Sequence, residues 1–446
     1  MLGPEKIQEL SQQALAVSKA DQTEILLTTS DSALTRFANN SIHQNVAESN
    51  SSLRVRVVYG KRVGVAEAND LSPDGIRRVV ETARAIAQLQ PENPDFKGLP
   101  APKPIPNVEA YVARTADFTP EARARVVDGI CRQAGASKLT AAGAFKTESF
   151  ELAVANSLGV FAYHPATIAD LHTVMLADSG SGYASTSSPD VRELNGEALA
   201  REAIEKALRA RNPIALQPGE YTVLLEEYAV ADLLDFLGVL SFNALAVQED
   251  RSFMKGRLGQ PVMSDTVTLW DDGLSTDGFA LPFDYEGVPK QRVTFVENGI
   301  ARGVVYDSYT GGKEGKPSTG HSLPAPNSFG PLPLNMFLGA GQTPREQLIR
   351  SVDRGVLVTR FWYTRVVHPL HVMVTGMTRD GTFLIEHGEV TLPVKSLRFT
   401  TSYLDAFKHV RAIGRETKVL RDDWMPRASR VPALLVDGFN FTGVTQ

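Results

Sequence analysis

Apolar residues recur along this chain with two distinct periods. Ile7, Leu10, Ala14 and Val17 share one face of a helix. The spacing predicts further helices behind Ser72-Pro73-Asp74 and Thr119-Pro120-Glu121, where a capping hydroxyl, a proline in the first turn and an acid mark each start. Between helices the period falls to two. "TEILLTTS", "ALTRFANNSIHQNV" and "SSLRVRVVYGKRVGVAEAN" alternate as strands, with turns at Asn39-Asn40 and near Gly60. "ELAVANSLGVFAYHPATIADLHTVMLAD" does the same around an Asn156-Ser157-Leu158-Gly159 turn, and a helix follows near 195 to 210. The order helix, meander, helix, crossing, helix, meander, helix suggests a duplicated plan, although no stretch of sequence repeats.

"QPENPDFKGLPAPKPIPN", with six prolines in 18 residues, is a stiff extended crossing over residues 90–107, and "RNPIALQPGEYTV" punctuates the chain near Arg211. Beyond it, "TVTLWDD", "QRVTFVENGIARGVVYD", "GVLVTRFWYTRVV" and "HVMVTGMTRDGTFLIEHGEVTLPVKSLRFT" read as long strands. Turns are expected at Glu297-Asn298-Gly299, Arg379-Asp380-Gly381 and His387-Gly388, and one short helix in "SYLDAFKHVRAIG". The expected fold is α+β. Residues 1–211 form an N-terminal domain with a mixed sheet and helices, and residues 212–446 a C-terminal domain dominated by a large antiparallel, barrel-like sheet. The Gly/Pro/Ser-rich run at 309–337 is expected to cover a cleft from the surface.

Composition narrows the function classes. Hydrophobic residues at 43% and charged residues at 22% describe a globular chain. The net charge of -5 arises from 46 basic and 51 acidic residues without a like-charge block, which argues against a nucleic-acid groove. No apolar run approaches the length of a membrane span, the N-terminus does not read as a signal peptide, and the lone Cys131 excludes a disulfide framework and fits a reducing cytoplasm.

Phosphate-loop, H-E-x-x-H, G-x-S-x-G and strand-linked G-x-G-x-x-G motifs are all absent. His368 and His371 are the closest histidine pair. On a strand they would face opposite ways, and Pro369 forbids a regular helix, so sharing a metal would need a turn or bulge. "LLEEYAVADLLDFLG", residues 224–238, is a strand running into an amphipathic helix with Ala229, Val230, Leu233, Leu234 and Leu237 as its buried stripe. Glu226 and Glu227 in its first turn suit the positive end of the helix dipole.

Several stretches in order, among them "TRFANNSIHQNVAESNSSLRVRVVYGKRVGVAEAND", "ELAVANSLGVFAYH", "TVTLWDDGLSTDGFALPFDYEGVPKQRVTFVENGIARGVVYDSYTGGKEGKPSTGH" and "GTFLIEHGEVTLPVKSLRFT", resemble the TldD/PmbA family of peptidases and DNA gyrase modulators over nearly the whole chain. The resemblance implies that a catalytic TldD-like member carries H-E-x-x-x-H just after the strand opening its C-terminal domain, with a cysteine near the C-terminus completing the zinc site. In register here, the first histidine position is Glu226, the catalytic glutamate position Glu227 and the second histidine position Ala231; shifted by one, the pair is Glu227 and Asp232. Neither register supplies an imidazole. Glu227 and Asp232 stand about 140° apart around an ideal helix, and Asp422 and Asp423 offer hard oxygen ligands where cysteine is missing.

The chain therefore resembles the TldE/PmbA-like branch. That implies a non-catalytic subunit holding no metal, paired with a TldD-like catalytic chain that carries zinc and cleaves unfolded peptides. Tyr309, Ser318, His321, His368 and His371, with the strand edge near 368–376, are the expected peptide contacts, through added-strand hydrogen bonds. Neither membrane nor nucleic acid is an expected partner. Two other readings are a divergent peptidase built on Glu227, Asp232, His368 or His371 around a non-zinc ion, and a binding protein acting on gyrase.

Overall fold

The structure is a computed structural model that describes residues 1–421 and 427–444. Its first half contains α1 (Pro4–Val17), β1 (Gln22–Ala38), β2 (Ser41–Tyr59), β3 (Arg62–Ala68) and α2 (Pro73–Leu89). After the proline-rich crossing come α3 (Ala113–Ala116), α4 (Pro120–Ala136), β4 (Thr140–Asn156), β5 (Phe161–Leu176), β6 (Ser181–Ser188) and α5 (Gly196–Arg209). The helix starts follow from local chemistry: the Ser72 hydroxyl accepts from Gly75 N and the Thr119 hydroxyl from Ala122 N. At the first hairpin Asn39 and Asn40 both adopt positive φ, 52° and 57°, the conformation a two-residue turn between twisted strands requires.

The strands form one sheet in the order β3-β2-β1-β4-β5-β6, every pair antiparallel. The expected mixed sheet is thus corrected: both meanders run through tight hairpins, and they join through β1 and β4, which also pair antiparallel. This order is that of two copies of helix–meander–helix related by an approximate two-fold axis. The packing repeats where the sequence does not. On each outer strand a glycine lies beneath an Ala-x-x-x-Ala step of the copy's last helix. A Cβ on Gly64 would stand 2.1 Å from Ala83 O and 2.4 Å from Ala87 N, and on Gly182 2.2 Å from Ala203 O and 2.5 Å from Ala207 N.

Alternation divides the sheet faces. Ile25, Leu27, Val55 and Ala153 belong to a core with α1 and α2, and Phe145, Ala169 and Leu171 to a core with α4 and α5. The opposite face meets the second half of the chain, where Leu26, Leu152, Val154 and Ala162 pack on Phe283. Arg56 lies in that interface, buried between Glu24 and Glu286.

The second half contains β7 (Gly219–Leu225), α6 (Glu227–Leu240), α7 (Ala244–Gln248), β8 (Leu269–Asp271), β9 (Val293–Glu297), β10 (Ile300–Ala301), α8 (Ser308–Glu314), β11 (Asn335–Leu338) and α9 (Arg345–Arg350). It continues with β12 (Arg354–His368), β13 (Met373–Glu386), β14 (Glu389–Pro393), β15 (Leu397–Ser402), α10 (Tyr403–Lys408), β16 (Val410–Arg421) and β17 (Ala428–Val444). Here the expected antiparallel sheet is mixed: β7 runs parallel to β12, and β11 parallel to β17. Pairing of β7 with β17 as well returns the path β17-β15-β13-β12-β7 upon itself, which is the barrel-like element. Phe361, Phe399 and Phe439 stack in the core of this half, with ring centroids 4.6 to 5.6 Å apart.

Three local expectations change. Asp380 and Gly381 are not a turn: β13 runs through them as a bulge, with φ of 56° and 125° and pairing that steps from Val358–Thr382 to Arg360–Arg379. The helix expected to run on from Tyr403 stops at Lys408, and the chain continues as β16. The 309–337 run is not wholly at the surface, because Leu323, Leu332, Leu334, Met336 and Phe337 are buried despite its glycines and prolines.

Gly64→Ala and Gly182→Ala should each cost about 1–3 kcal/mol, as a methyl forced against backbone does. Gly129→Ala, in α4 with open space at its Cβ, should instead stabilise by about 0.4–1 kcal/mol. Urea unfolding midpoints of the three variants compare these directly.

Candidate functional site

β7 passes into α6 without a loop. Glu226 N donates to Val358 O at 3.0 Å, extending the ladder beside β12 one residue past the strand, and the helix begins at the next position. Both acids are thereby drawn inside, with Glu226 2% and Glu227 6% exposed, so the first turn has no polar outer face as its amphipathic pattern suggests. The Glu226 carboxylate does not cap the helix. Glu226 instead accepts from Lys206 Nζ on α5 at 2.7 Å and from Arg345 at the start of α9.

The cluster extends from there. Lys206 also donates to Glu202 at 2.8 Å, and Glu202 accepts from Lys418 on β16 at 2.8 Å and from the Tyr228 hydroxyl at 2.9 Å. Lys418 reaches the Tyr228 oxygen at 2.7 Å, and Arg345 Nη1 stands 3.9 Å from Glu227. Three cations thus face three carboxylates, contributed by both halves of the chain.

Burial by itself would raise the Glu226 pKa; the charges of Lys206 and Arg345 override it and bring the value down to about 2. Glu227 moves the other way. Burial raises it, the neighbouring Glu226 charge adds to the effect, and Arg345 offsets this only in part. Lys206 is held above its ordinary value because Glu226 and Glu202 outweigh its desolvation. The two adjacent acids therefore shift in opposite directions, Glu226 down under its two cations and Glu227 up with burial.

A tetrahedral zinc ion does not fit these residues. Ala231 has no donor atom, and the Glu226 oxygens are already bonded to two cations that would repel a divalent ion. Asp232 accepts from the Tyr403 hydroxyl at 2.5 Å and the Thr364 hydroxyl at 3.2 Å, which ties α6 to α10 and β12. Among the described residues no group of three or more His, Cys, Asp or Glu side chains could hold a metal ion. Asp422 and Asp423 lie outside the described residues.

The expected peptide contacts do not converge. His321 is fully buried between Asp271 and Thr319, each 2.9 Å from a ring nitrogen, and Ser318 is buried and donates to Tyr306 O at 3.2 Å; neither is presented to a peptide. Tyr309 is half-buried in α8 beneath Lys313. His368 and His371 flank the turn between β12 and β13, exposed, with rings 4.9 Å apart, so the turn that a shared ion would need does exist. Of the edge expected at 368–376, Met373, Val374 and Thr375 pair with β12 on one side and β15 on the other, so these three offer no ladder for an added strand. Lys206, Arg345 and Lys418 escaped the sequence reading. Only Glu202 and Lys206, four apart on one helix face, carried a local signal.

Glu226→Gln should cost about 3–5 kcal/mol near neutral pH, because Lys206 and Arg345 lose their shared counter-charge. The Glu226 contribution is complete above the ordinary carboxylate value of 4.5 and is lost as pH falls towards about 2, so the deficit of the variant should shrink over that interval. Glu227→Gln should lie within about 1 kcal/mol of the parent, on the stabilising side, since a raised folded pKa favours the neutral form and penalises the fold as pH rises through it. Urea unfolding across a pH series measures both.

Three family models match the chain: PmbA/TldA metallopeptidase domain 1 over residues 23–87, the central domain over 109–211 and the C-terminal domain over 218–443. The metalloprotease PmbA of Escherichia coli O157:H7 is 24% identical over 417 residues, covering 90% of this chain and 89% of that protein. A metalloprotease TldD homolog of Haemophilus influenzae is also 24% identical, over 82% of this chain and 79% of its own length. In fold the chain is similar to TldE from Thermococcus kodakarensis, with a TM-score of 0.89 at 20% identity over 98% of this chain and 100% of that one. It is also similar to a Thermotoga maritima protein described as a candidate modulator of a DNA gyrase, with a TM-score of 0.87 at 21% identity over 98% and 100%. With the matched models spanning both halves, the chain belongs to the TldD/PmbA metallopeptidase family.

Proposed function

We propose that this chain is the non-catalytic, TldE/PmbA-like subunit of a two-chain zinc metallopeptidase acting on unfolded peptides in the cytoplasm, and that its TldD-like partner holds the metal. The observation that carries the reading is the Glu226 carboxylate bonded by Lys206 and Arg345. At the position of the first zinc-binding histidine, an internal ion pair fills the place of a ligand, and Ala231 leaves the second position empty of any donor. The cations supply the positive charge that a metal would bring, without its open coordination site.

A surface suited to a partner is also present. Trp362, Tyr363, Val366 and Val367 are 42 to 66% exposed on the β12–β13 hairpin, an apolar cluster that a second chain would cover. In this reading the subunit completes and walls the cleft beside its partner's zinc.

Purified alone, the chain should contain no stoichiometric zinc and leave an unfolded polypeptide intact. Co-purified with a TldD-like partner bearing H-E-x-x-x-H, the pair should hold zinc and cleave. Elemental analysis and peptide cleavage measure the two, and cleavage by the isolated chain that Glu227→Gln abolishes would overturn the assignment. Restoring both imidazoles, as Glu226→His with Ala231→His, should still not load zinc while Lys206 and Arg345 remain.

A further inference from the structure

The hairpin of β12 and β13 turns through His368-Pro369-Leu370-His371, and that turn is held at both ends. His368 makes the last pairing of the hairpin, with Met373. Pro369 has no amide to give a ladder, and Val372 N closes the turn on Pro369 O at 3.0 Å. Val372 is fully buried at a φ of 46°, its carbonyl accepts from Tyr403 N at 3.0 Å, and the Ser402 hydroxyl donates to His371 O at 2.7 Å. The backbone that carries both imidazoles is thus anchored to the end of β15 and the start of α10, while His368 and His371 are themselves exposed.

Residues three apart on a strand face opposite ways, but this turn sets the two rings 4.9 Å apart and 34° from parallel. Among the described residues neither ring forms a hydrogen bond or an ion pair. Arg365, the nearest cation along the chain, is engaged elsewhere, on Thr364 O at 2.8 Å and over the Tyr363 ring at 4.3 Å. With metal–nitrogen bonds of about 2.0 Å, an ion in the plane of both rings at that separation is held at about 100°, between the square-planar and the tetrahedral angle. No third His, Cys, Asp or Glu joins the pair among the described residues. Two donors are too few for a structural zinc centre, which takes four, or for a catalytic one, which takes three. They suit an ion that favours imidazole nitrogen and fills its other positions with water, and copper(II) heads the first-row ions in affinity for such donors.

We infer that His368 and His371 form a two-imidazole site for a divalent transition ion, copper(II) above nickel(II) and zinc(II), at the tip of this hairpin and separate from the Glu226 cluster. The inference is of binding alone, since no carboxylate joins the pair to activate a water. Neither ring has the hydrogen-bonded partner that orients the histidines of tight metal sites, so the ion exchanges readily with solvent. A chelator strips it, and the zinc content expected of the purified chain is unchanged.

Titration calorimetry of the full, chelator-stripped chain with copper(II) chloride tests this, and electron paramagnetic resonance of the loaded chain gives a second readout. Copper should saturate one strongest site per chain and show coupling to two imidazole nitrogens, while nickel(II) and zinc(II) bind less tightly and magnesium not at all. Binding should weaken on acidification, because protons compete for the same nitrogens. His368→Ala and His371→Ala should each weaken binding by at least about tenfold, the least that losing even a supporting residue costs a metal site, and leave one coupled nitrogen. His387→Ala, which removes an exposed histidine paired with Asp353 on another turn, should change neither readout. No saturable copper binding, undiminished binding in either of the first two variants, or equal weakening by His387→Ala, the mark of scattered adventitious ligation, would each overturn the inference. Should a variant fail to fold, the number of coupled nitrogens in the unmodified chain decides alone. The two-chain peptidase reading turns on Glu226 and a partner subunit, so either result leaves it standing or falling by its own test.

Discussion

A single carboxylate, that of Glu226, organises the centre of this molecule. It lies where β7 becomes α6 with no intervening turn, and a buried charge there must be compensated at once. The compensation comes from Lys206 on the last helix of the first half and Arg345 at the head of α9, so satisfying one side chain fixes both halves about it. Glu202, Glu227, Lys418 and Tyr228 extend it into a network of three cations and three carboxylates. A divalent ion entering it would meet two cations already bonded to the carboxylate at the first-histidine position.

The first half shows a second constraint, that of sheet against helix. Two meanders joined through their innermost strands bury one face under four helices and offer the other to the second half. The glycines beneath the Ala-x-x-x-Ala steps let helix and outer strand approach to backbone contact, and they do so in both copies. The packing is alike in the two copies although their sequences are not, because the geometry requires only that two small residues meet a third.

Much of this was legible beforehand, and the limits were physical. Ser72, Thr119 and the Asn39-Asn40 pair act through neighbours within four residues, and the helices and hairpin they imply are present. Strand direction was not legible. Val223, Leu224 and Leu225 are buried on both faces, so "TVLL" carries no alternation that would separate a parallel partner from an antiparallel one. Asp380-Gly381 has the composition of a turn and the conformation of one, yet pairing with β12 both before and after it holds it as a bulge. The acidic motif at 226–227 could be placed by resemblance, while the cations that neutralise it come from three distant segments and left no mark near it.

The pairing of β1 with β4 bears on how the chain must be made. β1 is a 17-residue strand whose second neighbour is not complete until Asn156. While a ribosome is still adding the stretch from 90 to 156, the first copy therefore displays a long, unprotected ladder of amide and carbonyl groups, the kind of template on which strands of other molecules assemble. The proline-rich crossing lies within that interval, and prolines, which cannot donate to a ladder, are poor substitutes for the missing strand. A nascent chain arrested there would find its nearest complement in another arrested copy of itself.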